Sequence, residues 1–192
     1  RLCTMQTRTG GLGMWPGSES EYPFGSIYAA DFLLTARDRG LQVPETFLKQ
    51  LLERLHQWMR ESHDVSLRCY AAEVLSRGGF PMTPWLTRLA EEAKTIEDRS
   101  RIALVWARAD DRGKAEKLLE APDSAEVDRE YGGFLRSPIR SRALELRARL
   151  IATPADGRIA LLSDRILREL LNPQRLTTQE QGQALLALSD FF

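Results

Sequence analysis

One hundred and ninety-two residues are enough for one domain that buries most of what its unfolded chain exposes, without a disulfide or metal to complete the core. With 43% hydrophobic and 28% charged residues, the composition excludes disorder. The 27 basic and 27 acidic side chains balance, which excludes the electrostatic footprint of a chain that wraps nucleic acid or lies on an anionic membrane.

No apolar run reaches the length of about 18 residues that a membrane-spanning helix requires. The sequence opens Arg1-Leu2-Cys3-Thr4 without an initiator Met or a signal-peptide pattern, so it is expected to be cut from something longer.

The elements predicted along the chain are helices separated by short breakers. Residues 26–38 are apolar on nearly every face (Ile27, Tyr28, Ala29, Ala30, Phe32, Leu33, Leu34) and stop at Gly40, the pattern of a buried helix. Residues 44–60 carry one stripe of Phe47, Leu51, Leu55 and Trp58, the pattern of an outer, amphipathic helix with Pro44 in its first turn. The alternation repeats. Residues 65–77 and 97–110 are apolar nearly all round, whereas 84–94, with Thr83 as N-cap, and 114–120 are amphipathic. Residues 138–152 and 158–171 make another such pair. Thr177 and Glu180 fit a capping box that opens the last apolar helix.

The apolar helices recur every 32 to 41 residues, a helical-hairpin repeat with no convincing strand. In residues 138–152, Ile139, Ala143, Leu146 and Leu150 form one apolar face, and Leu144, Ala148 and Ile151 form a second. Arginines lie on the edges between. A helix with two apolar faces has neighbours on both, which argues for closure over an open solenoid. The fold class expected is all-α: an α/α toroid of repeated helical hairpins, terpenoid cyclase/prenyltransferase-like, incomplete at its N-terminal side, with residues 1–192 as a single domain.

The most distinctive segment runs from Gln6 through Gly10, Gly11, Leu12 and Gly13 to Trp15. Three glycines in four positions allow a tight turn with close backbone approach. Gln6 is expected to bond the freed amides and Trp15 to plug the core. With the following Gly25-to-Ala36 segment it resembles the toroidal thioester domain of the α2-macroglobulin and complement superfamily, bacterial branch. That family has Gln-x-x-x-Gly-Gly-Phe-Gly-x-Trp here, followed by an inner helix ending Phe-Leu-Leu-x-Ala and a glycine; this chain has Leu12 in place of the Phe. Three later stretches also resemble it: Tyr70 to Gly79, then Tyr131-Gly132-Gly133-Phe134 running on through Arg140, and Thr177 to Leu188 with Gln179 and Glu180. The match runs in order over essentially the whole chain.

The resemblance implies a large multidomain protein of the bacterial periplasm, its parent chain either free or membrane-anchored, that entraps proteases after cleavage of a bait segment. It implies no cofactor, no metal and no catalytic residue in this portion. The partners implied are the other domains of the same parent chain and, through the full-length protein, target proteases. The family's thioester joins a Cys to a Gln in C-x-E-Q. Cys3-Thr4-Met5-Gln6 has the spacing but carries Met5 in place of the Glu, and Gln6 already belongs to the glycine turn, so Cys3 is expected to be a helix-end cysteine.

Other polar features have simpler readings. Cys3 and Cys69 are expected as thiols, not a disulfide, and lie at no metal-ligand spacing with His56 and His63. His63 in a polar turn and His56 on a helix edge are expected at the surface. Asp110-Asp111 is expected to be a helix end and turn, not the acidic motif of a cyclase. Arg outnumbers Lys 23 to 4, so the cluster of Arg136, Arg140, Arg142, Arg147 and Arg149 is expected to be ion-paired or snorkelling, its alternative being a dock for an acidic neighbour. The competing functional class is an α/α-toroid enzyme, terpenoid-cyclase-like or glycoside-processing, that uses a central cavity lined by convergent carboxylates.

Overall fold

The apolar periodicity becomes helix throughout the computed structural model, which describes residues 1–122, 128–131, 133–172 and 176–192. Among the described residues nine α-helices follow a short 3-10 turn at Leu2–Met5: α1 Pro23–Asp38, α2 Glu45–Glu61, α3 Val65–Arg77, α4 Thr83–Glu92, α5 Ile96–Arg108, α6 Arg112–Glu120, α7 Pro138–Ala152, α8 Arg158–Leu170 and α9 Thr178–Phe191. Among the described residues the only strand-like pairing is an isolated antiparallel bridge between Gln6 and Leu12. The fold class is all-α.

Local chemistry sets the helix ends. α1 begins three residues earlier than the apolar pattern indicates because Pro23 occupies the first turn, where its missing N–H leaves nothing unsatisfied. The side chains of Asp64, Thr95, Asp111 and Ser137 accept backbone N–H groups at the starts of α3, α5, α6 and α7. Thr177 and Glu180 close the reciprocal capping box of α9. Thr83 is not a cap: Trp85 N donates to the Met82 carbonyl at 2.9 Å, so the helical turn already contains Thr83.

The chain forms two compact units, Arg1–Leu89 and Ala90–Phe192, divided within α4. In the first, α1 packs on α2 and α3, and α2 on α3. Its buried residues include Ile27 and Leu34 of α1, Leu51 and Leu55 of α2, and Val74 and Leu75 of α3. In the second, α7 lies against α5, α6, α8 and α9. Its two apolar faces enter different clusters. Ile139, Ala143 and Leu146 pack with Ile159, Ile166, Ala184, Ala187 and Leu188 of α8 and α9. Ala148 and Ile151 pack with Ala103, Leu104 and Ala107 of α5 and with Ala115 and Leu119 of α6.

Leu104 is fully buried in this second cluster. Leu104→Ala is expected to lower unfolding free energy by roughly 2–5 kcal/mol in urea titrations. Leu161→Ala, on the exposed side of α8, is expected to change it by no more than about 0.5 kcal/mol.

Candidate functional site: two loops anchored by carboxylate–arginine pairs

The described motif residues lie in two loops and the helices beside them, one set in each unit. In the first, the chain from Gln6 to Gly13 folds back on itself. Thr7 N donates to the Gly11 carbonyl at 2.8 Å, Gly10 N to the Thr7 carbonyl at 3.1 Å, and Gly13 N to the Met5 carbonyl at 2.9 Å. Gly10 takes a φ of +97°, and a Cβ there would lie 3.2 Å from the Gln50 carbonyl oxygen of α2. Both facts demand glycine. A Cβ on Gly11 would lie 2.6 Å from Glu21 Oε1, so the second glycine leaves room for a carboxylate. The Gln6 side chain does not bond freed amides; its Nε2 donates to the Gly10 carbonyl at 3.1 Å.

Sequence reasoning missed Glu21, which organises this turn. Its Oε1 accepts from the Thr9 hydroxyl and, at 3.3 Å, from Gly11 N. Arg54 of α2 grips both oxygens, with Nε 2.9 Å from Oε1 and Nη2 2.9 Å from Oε2, and Trp58 Nε1 donates to Oε2 at 3.1 Å. Burial pushes the Glu21 carboxyl up, but the hydrogen bonds from Arg54 and Thr9 and the Arg54 charge outweigh it and hold the group below its usual range. The same bond to Glu21 is the main cause that raises Arg54. The signal available was Trp58, whose indole N–H needs an acceptor when it leaves water, but nothing in the sequence names that acceptor.

Trp15 does not plug the core. It is 71% exposed, and Leu12, at 3%, fills the interior position. The cause is a second turn, closed by Ser18 N on the Trp15 carbonyl at 3.1 Å with Gly17 at φ +79°, which carries Met14, Trp15 and Pro16 outward. Beside the turn, Pro23, Ile27, Trp58, Met59, Leu67 and Ala71 line an apolar cleft of about 160 Å³.

In the second unit, Gly133 (φ +60°) and Leu135 (φ +52°) shape the loop before α7; Gly132 lies outside the described residues. Glu130 N donates to the Arg136 carbonyl at 2.8 Å and closes the loop. Arg140 holds the loop from below: its Nη1 donates to the carbonyls of Phe134 and, at 3.1 Å, Leu135, while Nη2 lies 2.8 Å from Glu97 Oε1 of α5. Arg101 reaches the same Glu97 oxygen at 3.2 Å. Glu180 accepts from Thr177 N at 2.7 Å and pairs with Arg129 at 2.9 Å. Burial pushes its carboxyl up, and the Thr177 N–H, the Ser137 and Thr177 hydroxyls and the Arg129 charge pull it down further. Both Gln179 side-chain polar atoms are buried without a hydrogen-bond partner among the described residues.

The clustered arginines pair with carboxylates of their own chain, Arg136 with Glu130 at 3.5 Å. Arg142 pairs with Glu169, and Arg147 with Asp190. Arg149, 2% exposed at its side chain, bonds Glu145, Glu120 and Asp156. Cys3 is an exposed thiol and Cys69 lies buried in α3. His63 is exposed, and Asp64 beside it caps α3. His56 is half-buried, its ring 5.1 Å from that of Phe80. Asp110 ends α5 at φ +64° and Asp111 caps α6. No group of three or more His, Cys, Asp or Glu side chains comes together to hold a metal among the described residues.

These loops and helices match known proteins. No family model matches the chain. It is 30% identical to the alpha-2-macroglobulin of Xylella fastidiosa strain Temecula1 over 97% of this chain and 13% of that protein. Escherichia coli alpha-2-macroglobulin activated by porcine elastase matches with a TM-score of 0.79 and 22% identity, over 97% of this chain and 18% of that one. Salmonella alpha-2-macroglobulin reacted with methylamine matches with a TM-score of 0.76 and 25% identity, over 98% and 14%. The fold is thus that of an all-helical segment shared with these proteins. The chain is bacterial alpha-2-macroglobulin-like, and it spans about an eighth of the length of the curated relatives it matches.

Glu21→Gln is expected to lower unfolding free energy by roughly 1.5–3 kcal/mol, the range for hydrogen bonds to a charged group. Because the Glu21 and Glu180 carboxyls sit below their usual values when folded, the stability they contribute is complete above the unfolded value of about 4.3 and is lost as pH falls through the folded values. Thermal melts from about pH 5 down to pH 3 are expected to show this acid loss, with a shallower slope in Glu21→Gln.

Proposed function

We propose that this chain is part of an α/α toroid, the thioester-type domain of a bacterial alpha-2-macroglobulin-like endopeptidase inhibitor that works in the periplasm. The parent entraps a protease after the protease cuts a bait segment. This portion performs no chemistry of its own and acts by packing against neighbouring domains and moving with them.

The observation that carries the reading is the 30% identity to the Xylella protein, sustained over 97% of the chain. The carboxylates around the two loops support it: Glu21, Glu97 and Glu180 are each held by an arginine, an arrangement that fixes loops and leaves none of these three poised as a general acid or base. That the E. coli neighbour is activated by elastase supports a protease as the parent's partner. The Salmonella neighbour was reacted with methylamine, a small amine nucleophile that opens thioesters. That the Gln6 carboxamide donates to the Gly10 carbonyl supports a Cys3 that takes no part in such a bond.

Adding equimolar porcine elastase to the full-length parent tests this. Bait cleavage should be followed by loss of activity on a protein substrate, while a small chromogenic peptide that reaches an enclosed active site is still hydrolysed. Undiminished cleavage of the protein substrate would overturn the reading. In the same protein, Cys3→Ser is expected to leave any methylamine-released thiol unchanged; disappearance of that thiol would make Cys3 the reactive group.

A further inference from the structure

The ion pair that ties α7 to α5 uses only one oxygen of the Glu97 carboxylate. Oε1 takes both guanidiniums, Arg140 at 2.8 Å and Arg101 at 3.2 Å. Oε2 is buried and has no hydrogen-bond partner among the described residues, and the same holds for the hydroxyl oxygens of Ser100 and Ser141. Glu97, Ser100 and Ser141 are 5%, 0% and 4% exposed. Taking a polar oxygen out of water without a donor is costly, most of all when it carries charge. Buried oxygens of native proteins are therefore bonded, either within the protein or to ordered water.

The helix periodicity brings these oxygens to one place. On α5, Glu97, Ser100 and Leu104 follow at steps of three and four residues and so share a face. Leu104 lies on the side of α5 that joins Ala148 of α7 in one apolar cluster. On α7, Ser141 precedes Ala148 by two turns and stands on that same side. The Glu97–Arg140 pair sets the N-terminal ends of the two helices beside each other. Ser100 is one turn beyond Glu97, and Ser141 is the residue after Arg140. Leu104 and Leu144, the next buried residues along these faces, hold the axes at an ordinary packing separation. Two serines do not fill the space that such a separation leaves.

We propose that the N-terminal end of the α5–α7 interface is a binding site for one structural water, held by Glu97 Oε2, Ser100 Oγ and Ser141 Oγ. The water donates to the carboxylate oxygen and to one serine oxygen, and accepts from the other serine hydroxyl. Three bonds are the usual complement of a buried water. A cation does not suit the place, because Glu97 already faces the two guanidiniums of Arg101 and Arg140 and a further positive charge would be repelled. The water positions the carboxylate. With both oxygens engaged, Glu97 keeps Oε1 toward Arg140, and Arg140 holds the Phe134 and Leu135 carbonyls of the loop before α7. The inference concerns the core of the second unit and does not depend on the trapping role.

The test is a crystal structure of the full-length parent at a resolution that shows ordered water. A density peak should lie within about 2.6–3.2 Å of at least two of the three oxygens. Absence of a peak, a serine hydroxyl bonded directly to Glu97 Oε2 in its place, or a peak at metal distances of about 2.0–2.6 Å would each overturn the proposal. Amide hydrogen exchange in the same protein tests the positioning role. Ser100→Ala and Ser141→Ala each remove one support of the same water, so each is expected to speed exchange in residues 133–137 about threefold. The double variant should exchange no faster than the faster single one, because one water is lost only once. Unchanged exchange in both single variants, or multiplied effects in the double variant, would count against a shared water.

Discussion

A helix that carries apolar residues on two opposite faces is stable in water only when both faces are covered, and α7 shows how the chain meets that demand. Ile139 and Leu146 pack against α8 and α9, while Ala148 and Ile151 pack against α5 and α6. Of the arginines between the two faces, Arg142 and Arg147 stay partly exposed, whereas Arg140 and Arg149 do not reach solvent. Arg140 and Arg149 are accordingly among the most deeply buried side chains of the protein. Placing a charge there is costly unless it is paired and its donors are filled. The ion pairs of the second unit are therefore a consequence of the helix pattern: once both faces of α7 are covered, its edge residues must find partners inside.

This requirement explains the preference for arginine. Lysine presents one compact ammonium, whereas guanidinium spreads five N–H donors over a rigid plane. Arg149 uses that spread on Glu145, Glu120, Asp156 and the Leu119 carbonyl. Arg140 joins the Glu97 carboxylate to the carbonyls of Phe134 and Leu135. No single ammonium spans such acceptor sets. Replacing a buried pair by well-packed apolar residues is often neutral or stabilising. What Arg140 adds is a particular loop conformation, because only that conformation aims two carbonyls at it.

Helix positions were legible because burial leaves a periodic mark. The two faces of 138–152 and the capping box of Thr177 and Glu180 were both written locally, within one or two turns. Glu21 was not legible, because its importance depends on Arg54 and Trp58, more than thirty residues away and on another helix. Trp15 illustrates the opposite failure. A tryptophan after three glycines suggests a buried plug, but the turn closed by Ser18 and Gly17 decides its direction, and hydrophobicity does not encode direction. The glycines themselves were recognisable, although the close approach they permit, to Gln50 and Glu21, required the folded chain.

The division of labour between charge and apolar surface bears on how such a segment works in a larger protein. Equal numbers of acids and bases could have been scattered over the outside. Instead, many are matched internally, Arg54 with Glu21, Arg77 with Asp31, Arg140 with Glu97 and Arg129 with Glu180. Paired charges produce weak long-range fields, so the surface neither repels nor steers a neighbour strongly. Any contact with a neighbour would then fall to shape and to exposed apolar groups, of which Trp15 and Phe32 are the most exposed aromatic ones in the first unit. Contacts of that kind are non-directional and release on separation without stranding a buried charge. That property suits the role proposed for this segment, packing against neighbouring domains and moving with them.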